Sequence, residues 1–196
     1  MARTDTTTDR RAEIIAAAIR VLASDGIAET TTRKIAAQAK VNQAALRYYF
    51  GSKDDLLFAV LQEMMRLTKD IVRANTPTDC GVREAIERSL RAFWAHIEST
   101  PELQVMQYEL TLYALRNPAS AWLAKEQYDG YAAVVEELLQ QNFAAAEHTC
   151  PIPLIELARF IVGGLDGMIL QFVSVHDVAR ARRDLDHLIA AVIALA

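Results

Sequence analysis

The stretch TTRKIAAQAKVNQAALRYYFGSK, residues 31–53, is the most informative part of this 196-residue chain. It contains two short helix-compatible runs, 32–39 and 43–50, with Lys40-Val41-Asn42 between them. A threonine precedes the first run and Asn42 precedes the second, and both residue types cap helices by accepting hydrogen bonds from first-turn N–H groups. The positions that two packed helices would bury are apolar, namely Ile35, Ala36, Val41 and Leu46. The stretch therefore predicts a helix-turn-helix.

The second helix of this motif carries polar side chains on its outer face. Gln43 and Arg47 are four positions apart, so they project from the same side and can both reach base edges in a major groove. Ala44 and Ala45 have short side chains that let the backbone approach a duplex closely. A small bundle with solvated Arg and Tyr residues is the alternative, but it gives no reason for this crowding of polar groups. We therefore expect the helix to bind double-stranded DNA.

Residues around the second helix, 43–50, which we call the reading helix, are expected to contact the phosphate backbone. Tyr48, Tyr49 and Lys53 lie at or beyond its C-terminal end, where a phenolic hydroxyl or an ammonium meets phosphate rather than bases. Thr32 begins the preceding helix and can offer its hydroxyl to another phosphate. Arg33 follows it and can reach a guanine edge.

Charge is distributed unevenly along the chain. Residues 1–53 contain nine Lys/Arg and five Asp/Glu, whereas residues 54–196 contain twelve and twenty, so a net charge of -4 combines +4 with -8. A basic module joined to an acidic one indicates that a polyanion meets the N-terminal part only. Chance clustering on a solvated surface explains the same numbers, so charge alone does not decide between the two.

Apolar residues recur at intervals of three and four along nearly the whole chain, while Pro and Gly are scarce, which predicts an all-α fold of about nine helices. A DNA-binding domain is expected over residues 1–53 and a larger helical effector-binding and dimerisation domain over 54–196. The expected helices span 10–24, 32–39, 43–50, 53–74, 83–99, 101–116, 119–146, 153–175 and 178–195. Asp25-Gly26 should end the first helix, and Pro77 and Gly81 should mark a loop.

The N-terminus lacks the apolar core of a signal peptide, and Cys80 and Cys150 match neither a disulfide framework nor metal-ligand spacing. We therefore expect a cytoplasmic protein with reduced thiols. The most apolar stretch, 160–175, is too short to span a bilayer and contains Asp166, so no membrane association is expected. It is interpreted as a helix buried on most sides.

The sequence TTRKIAAQAKVNQAALRYYFGSKDDLL resembles the helix-turn-helix signature of the TetR family of bacterial transcriptional repressors. The resemblance covers about 50 residues, from the first helix into the fourth. Two positions depart from the family pattern, since Lys40 stands where Gly is usual and Arg47 where Tyr is usual. The resemblance implies base contacts from Arg33, Gln43, Ala44 and Arg47, and backbone contacts from Thr32, Ala45, Tyr48, Tyr49 and Lys53.

One helix-turn-helix module buries too little surface for tight specific binding, so a homodimer reading two half-sites is expected. The last two helices carry apolar stripes at helical spacing, and in the family two such helices per subunit usually form a four-helix bundle. An ordinary intrachain core is the alternative for these side chains. The predicted dimer interface consists of Leu157, Ile161, Leu165, Met168, Phe172, Leu185, Leu188, Ile189 and Val192.

Large aromatic and Met side chains are spread over the middle helices and can line an apolar pocket for a small-molecule effector. Spacing alone favours a core role for each of them. The candidate pocket residues are Trp94, Met106, Tyr113, Trp122, Tyr128 and Phe143.

Together these features predict a homodimeric repressor that leaves its DNA operator when a small apolar ligand binds. In the alternative, the C-terminal domain senses a partner protein, or thiol oxidation at Cys80 or Cys150. Catalytic, metal-binding and phosphate-loop patterns are missing from the sequence, so neither enzymatic activity nor a cofactor is expected.

Overall fold

A computed structural model describes residues 2–76 and 80–196, with side chains from Arg10 onward. Within these residues the chain forms nine α-helices and no strand, which confirms the all-α prediction. The helices are α1 (Ala2–Glu29), α2 (Thr32–Gln38), α3 (Gln43–Phe50), α4 (Lys53–Asn75), α5 (Val82–Ser99), α6 (Pro101–Arg116), α7 (Ala121–Ala145), α8 (Leu154–Val175) and α9 (Val178–Leu195), with a 3-10 turn at Pro118–Ser120 before α7.

The first helix is longer than predicted, because α1 begins at Ala2 rather than at residue 10 and because its helical backbone resumes after an interruption. Gly26 adopts φ 74° and ψ 166°, a non-helical conformation that is almost restricted to glycine. Helical backbone continues beyond it to Glu29. The expected break at Gly26 is therefore present as a kink inside α1 rather than as its end. The loop expected at Pro77 lies outside the described residues, and Gly81 is the residue that precedes α5.

The chain divides into two compact units, and three helices pass from one to the other. Unit 1 contains the residues up to Met64 together with Val105–Gln127, and unit 2 contains Met65–Gln104 and Tyr128–Ala196. The helix-turn-helix thus shares a unit with the start of α4, most of α6 and the start of α7. A DNA-binding domain ending at residue 53 stays a prediction.

In unit 1, α2 packs on both α1 and α3. The core of unit 1 contains the inner faces of the first four helices, where apolar residues recur at intervals of three and four, together with Leu110 of α6 and Leu123 of α7. Ile35, Ala36 and Leu46 are buried as expected, whereas Val41 is only partly buried. Further buried side chains are Ile14, Leu22, Phe50, Leu56, Leu57 and Leu61.

In unit 2, α9 packs on both α5 and α8. Trp94 of α5 is 2% exposed, and its ring meets that of Phe172 of α8 edge-on, with centroids 5.7 Å apart. A Cβ at Gly164 would lie 2.6 Å from the Cδ1 of Leu188, so the missing side chain permits close packing of α8 and α9. Ion pairs at the surface, Arg91 with Asp186 and Arg182 with Glu98, also join α5 to α9.

The last two helices bury most of the predicted interface inside the chain itself. Seven of the nine residues are at most 6% exposed in the single chain, and Met168 and Leu188 are partly buried. The seven buried side chains belong to the core of the single chain, whereas Met168 and Leu188 keep part of their surface exposed. The interface stays a prediction, because an intrachain core and an oligomer interface produce the same apolar periodicity.

A second face of α8 is open and apolar, contrary to the prediction of a helix buried on most sides. The face contains Phe160, which is 43% exposed, Leu170, which is 52% exposed, and the exposed Gly163 and Gly167. Of the described helices, Leu154–Val175 alone has the length and apolar composition that a membrane span would need. Its buried face, which includes Leu157 and Ile161, is that of a core helix.

Candidate nucleic-acid interface

The helix that precedes the reading helix has a defined start and a defined end. Thr31 caps α2, since its Oγ1 accepts a hydrogen bond of 3.2 Å from the N–H of Lys34. At the other end, the N–H of Val41 donates to the Ala36 carbonyl at 2.9 Å, and the N–H of Lys40 donates to that of Ala37 at 3.1 Å. This pair of bonds is a Schellman ending.

Lys40 occupies the left-handed position of this ending, with φ 54°. Glycine is the usual residue there because an L side chain costs about 1–2 kcal/mol in that conformation. The turn therefore keeps its left-handed geometry despite the lysine. The strain is local, since both hydrogen bonds of the ending are formed.

The reading helix, α3, begins at a side-chain N-cap and ends at a glycine turn. Asn42 Oδ1 accepts a bond of 2.8 Å from the N–H of Ala45, as the sequence predicted. At the C-terminal end, Gly51 adopts φ 71° and ψ −63°, and the N–H of Ser52 donates to the carbonyl of Phe50 at 2.7 Å. This is a γ-turn with positive φ, for which glycine is suited because it lacks a Cβ.

The residues after this γ-turn start α4 through a reciprocal cap that the sequence analysis missed. Ser52 Oγ accepts from the N–H of Asp55 at 3.1 Å, and the Asp55 carboxylate accepts from the N–H of Ser52 at 3.1 Å. The pattern Ser-x-x-Asp before an apolar run was the available signal. The turn between α2 and α3 and the turn between α3 and α4 therefore both have defined geometry, and together they set the orientation of α3.

The outer face of α3 is accessible, as a reading face requires. Gln43, Ala44 and Arg47 are exposed, whereas Leu46 and Phe50 on the opposite side are buried. Tyr48 is 80% exposed, and its ring meets the half-buried ring of Tyr49 edge-on at 5.2 Å. The exposed residues lie on one side of the helix, which is the arrangement that insertion into a groove needs.

A cleft of about 470 Å³ opens beside this face. Three of its lining residues, Gln43, Ala44 and Arg47, are predicted to contact bases. Two others, Thr32 from α2 and Lys53 from α4, are predicted to contact phosphates. The remaining predicted residues, Arg33, Ala45, Tyr48 and Tyr49, do not line the cleft. The complete lining is Thr32, Gln43, Ala44, Leu46, Arg47, Gly51, Ser52, Lys53 and Leu56.

Lys53 has intramolecular contacts that the sequence did not predict. Its ammonium donates a hydrogen bond of 3.2 Å to the carbonyl of Thr30 and lies 5.4 Å from the centre of the Tyr113 ring. Cations are attracted to the face of an aromatic ring. A phosphate contact from Lys53 therefore competes with these contacts or shares the ammonium with them.

Lys34 is also engaged within the chain. Its Nζ lies 2.9 Å from Oδ2 of Asp25, and this hydrogen bond is the main reason why the pKa of Asp25 is below its usual value. A further hydrogen bond from Ser24 acts in the same direction. Arg33, the residue before Lys34, and Arg47 of α3 are both exposed, and their guanidinium groups remain candidates for contacting DNA.

The six candidate pocket residues are distributed over both compact units. Met106, Tyr113 and Trp122 belong to unit 1, and Trp94, Tyr128 and Phe143 belong to unit 2. Trp94, Met106 and Phe143 are buried, Tyr113 and Tyr128 are partly buried, and Trp122 is 40% exposed. The hydroxyl of Tyr128 donates to Asp166 at 2.7 Å, and the Trp122 ring lies 5.4 Å from that of Phe58.

Two family models match the chain, one over each half of the fold. Residues 14–60 match the model of bacterial regulatory proteins of the tetR family. Residues 81–195, more than half of the chain, match the model of the tetracyclin repressor-like C-terminal domain. The first match contains the whole of α2 and α3, and the second contains helices α5 to α9.

Individual proteins show the same relationship. The chain is 34% identical to the HTH-type nicotine-responsive transcriptional repressor HdnoR of Paenarthrobacter nicotinovorans, over 85% of this chain and 84% of that protein. Its sequence is 32% identical to that of the multidrug binding protein EbrR, whose crystal structure was solved in complex with imidazole. The two structures superpose with a TM-score of 0.61 over 92% of this chain and 89% of EbrR.

A TetR transcription regulator from Haloarcula marismortui shares the fold at 20% identity, with a TM-score of 0.75 over 96% of this chain and 98% of that one. The relatives are transcriptional regulators and not enzymes. Helix α3 is exposed, the turns before and after it have defined hydrogen bonds, and both family models match the chain. This chain therefore belongs to the TetR family and is a helix-turn-helix transcriptional repressor that binds DNA.

Proposed function

We propose that the protein is a homodimeric repressor that binds a near-palindromic operator and is released from it by a small apolar molecule. The exposed face of α3, which forms one wall of the cleft with Thr32 and Lys53, is the observation that carries the proposal. In this account Gln43 and Arg47 contact base edges, with Ala44 allowing the close approach and Arg33 reaching a flanking guanine. Thr32, Ala45, Tyr48, Tyr49 and Lys53 contact the backbone.

The exposed apolar face of α8 supports the dimer. Large open apolar patches on proteins usually mark interaction sites, and small residues let two helices approach closely. A Cβ at Gly163 or Gly167 would meet no described atom within 4 Å, so both positions are open to a second copy. The exposed side of α9 adds small residues at helical spacing, namely Ala190, Ala191 and Ala194. We assign the interface to this surface, with Phe160 and Leu170 as its large side chains.

The names of two relatives support a small-molecule effector. HdnoR is described as nicotine-responsive, and EbrR is a multidrug binding protein that was crystallised with imidazole. An effector that binds the DNA-free conformer about 10²-fold more tightly than the DNA-bound one supplies about 2.7 kcal/mol of coupling, which is within the usual range for allosteric ligands. Since its target is chromosomal DNA, we place the protein in the cytoplasm.

Selection of bound fragments from genomic DNA tests this proposal. The fragment that is recovered should contain a near-palindrome with half-site centres about 34–36 Å apart, or a multiple of that distance, and should bind two copies of the chain. Compounds suggested by the neighbouring genes are then added to the complex, with nicotine as a first probe. Release by an apolar compound is the expected result. Release by peroxide that Cys80→Ser or Cys150→Ser abolishes would contradict it and favour a thiol sensor.

A further inference from the structure

Helix α6 contacts the residues just before and just after the helix-turn-helix. Two residues of α6, Glu109 and Tyr113, make these contacts, and all the groups involved belong to unit 1. One end is the Gly26–Thr30 stretch that precedes α2, and the other is Lys53-Asp54, which follows α3. The contacts join residues that are 82 and 59 positions apart in the sequence, so they are set by the tertiary fold.

The first contact lies at the kink in α1. The Glu109 carboxylate accepts a hydrogen bond of 2.8 Å from the N–H of Ile27, a backbone group freed by the non-helical Gly26. The side chain of Thr30, which is 2% exposed, donates to the Gly26 carbonyl at 2.6 Å. Both polar backbone groups at the kink are thus paired. A hydrogen bond to a charged acceptor is stronger than one between neutral groups.

The second contact lies at the start of α4. Asp54 accepts from the Tyr113 hydroxyl at 3.1 Å through Oδ1, and from the buried hydroxyl of Ser120 at 2.6 Å through Oδ2. The face of the Tyr113 ring meets the Lys53 ammonium, which also donates to the Thr30 carbonyl. Tyr113 therefore contacts both Lys53 and Asp54, the two residues that follow the helix-turn-helix.

We propose that Glu109 and Tyr113 are positioning residues for operator recognition, which hold the two ends of the helix-turn-helix so that α3 is presented in one orientation. This inference rests on the proposed function, since it concerns how the same reading helix is held. Neither residue needs to contact DNA. Their effect arises because a recognition element that is already oriented loses less conformational freedom on binding.

Specific and non-specific binding should respond differently when these contacts are lost. Base reading needs α3 at a defined angle and depth in the groove, whereas non-specific binding depends mainly on neutralising phosphates with basic side chains. Loss of the α6 contacts should therefore lower affinity for the operator while leaving affinity for random DNA nearly unchanged. A residue that only stabilised the fold would not change this ratio in protein that remains folded.

The test compares Glu109→Ala with Glu109→Gln. Both variants remove the negative charge, but the amide oxygen of Gln can still accept the hydrogen bond from Ile27. We expect Glu109→Ala to bind the selected operator about tenfold more weakly than Glu109→Gln, equivalent to about 1.4 kcal/mol, with random-DNA affinities equal within about twofold. Amide hydrogen exchange at Ile27 should be faster in Glu109→Ala than in Glu109→Gln, which keeps a neutral and therefore weaker hydrogen bond.

Equal operator affinity of the two folded variants would overturn the proposal for Glu109, whatever the exchange rate at Ile27. If Glu109→Ala does not fold, operator and random-DNA affinities are measured for Tyr113→Phe instead. This substitution removes only the hydroxyl that binds Asp54 and keeps the ring beside Lys53. A loss of about threefold on the operator alone supports the proposal, and unchanged discrimination refutes it. Wild-type protein that showed no operator preference would instead count against the proposed function.

Discussion

The carboxylate of Glu109 lies so close to Gly26, at the kink of α1, that a side chain at this position would crowd it. A Cβ added at Gly26 would lie 3.0 Å from Oε2 and 3.2 Å from Oε1 of Glu109, and the φ of 74° at Gly26 is itself unfavourable for an L residue. The glycine therefore allows both the kink and the close approach of the carboxylate that accepts from Ile27. Substitution at this position should damage unit 1 in two ways.

We expect Gly26→Ser to lower the free energy of unfolding by about 1–3 kcal/mol, the usual cost of forcing a side chain into such a backbone conformation. Gly81→Ser is the matched control. Gly81 has φ −68°, lies at the N-cap of α5, and has no described atom within 4 Å of an added Cβ. Serine caps helices slightly better than glycine, so this control should gain a few tenths of a kcal/mol. Urea unfolding of both variants measures the difference; equal effects would contradict the account.

The lysine in the left-handed turn predicts a stabilising substitution. Lys40→Gly should raise the free energy of unfolding by up to about 1 kcal/mol, because relief of about 1–2 kcal/mol of strain is partly offset by the greater entropy of glycine in the unfolded chain. Lys40→Ala removes the same charge but keeps a Cβ at φ 54°, so it should not gain. Urea midpoints with unchanged m-values provide the measurement. A gain in both variants would point to charge rather than strain.

Lys53 should contribute to DNA affinity without contributing to sequence discrimination. Lys53→Gln is expected to weaken binding to operator and random DNA alike, and to reduce the slope of log K against log salt by about 0.9, the value for one phosphate contact. Lys69→Gln is the control, since Lys69 is a partly buried lysine of the same helix that pairs with Glu137 in unit 2. Its slope should equal that of the wild type. An unchanged slope in Lys53→Gln would show that its ammonium stays on Thr30 and Tyr113.

His96 introduces a pH dependence into the stability of unit 2. Burial lowers the pKa of its imidazole, and the nearby Glu102 only partly opposes this effect. Below pH about 6.5, the ordinary value for histidine, the unfolded chain therefore binds more protons than the folded one, so stability falls as the pH drops. Above that value the contribution is constant. His96→Gln should flatten the profile between pH 7.5 and 5.5 in urea unfolding, whereas a parallel profile would exclude His96 as the cause.

The short helices of the motif were predictable because their determinants are local. Thr31 and Asn42 specify where α2 and α3 begin, and Gly51 where α3 ends, through contacts that span at most four residues. The identity of the outward face of α3 followed from the same local periodicity. These are interactions that a sequence displays directly.

Contacts between distant segments could not be predicted in the same way. The apolar stripe of α8 and α9 was visible, but periodicity does not reveal whether Leu157 or Phe160 faces the chain's own core, and the structure buries the first and exposes the second. The contacts of Lys53 with Tyr113 and of Glu109 with Ile27 depend on how α6 packs. A side chain assigned only to DNA can therefore also have an intramolecular partner.

Discrimination between operator and random DNA by Arg47→Ala tests most directly whether α3 reads bases. Binding of the selected operator and of a random duplex is titrated for wild type, Arg47→Ala and a control, Arg73→Ala, in which an exposed arginine of unit 2 is removed. If α3 reads bases, Arg47→Ala should lose about 1–3 kcal/mol on the operator and relax the preference at one base pair of each half-site, with a much smaller loss on random DNA. An equal loss on both duplexes would contradict base reading by α3.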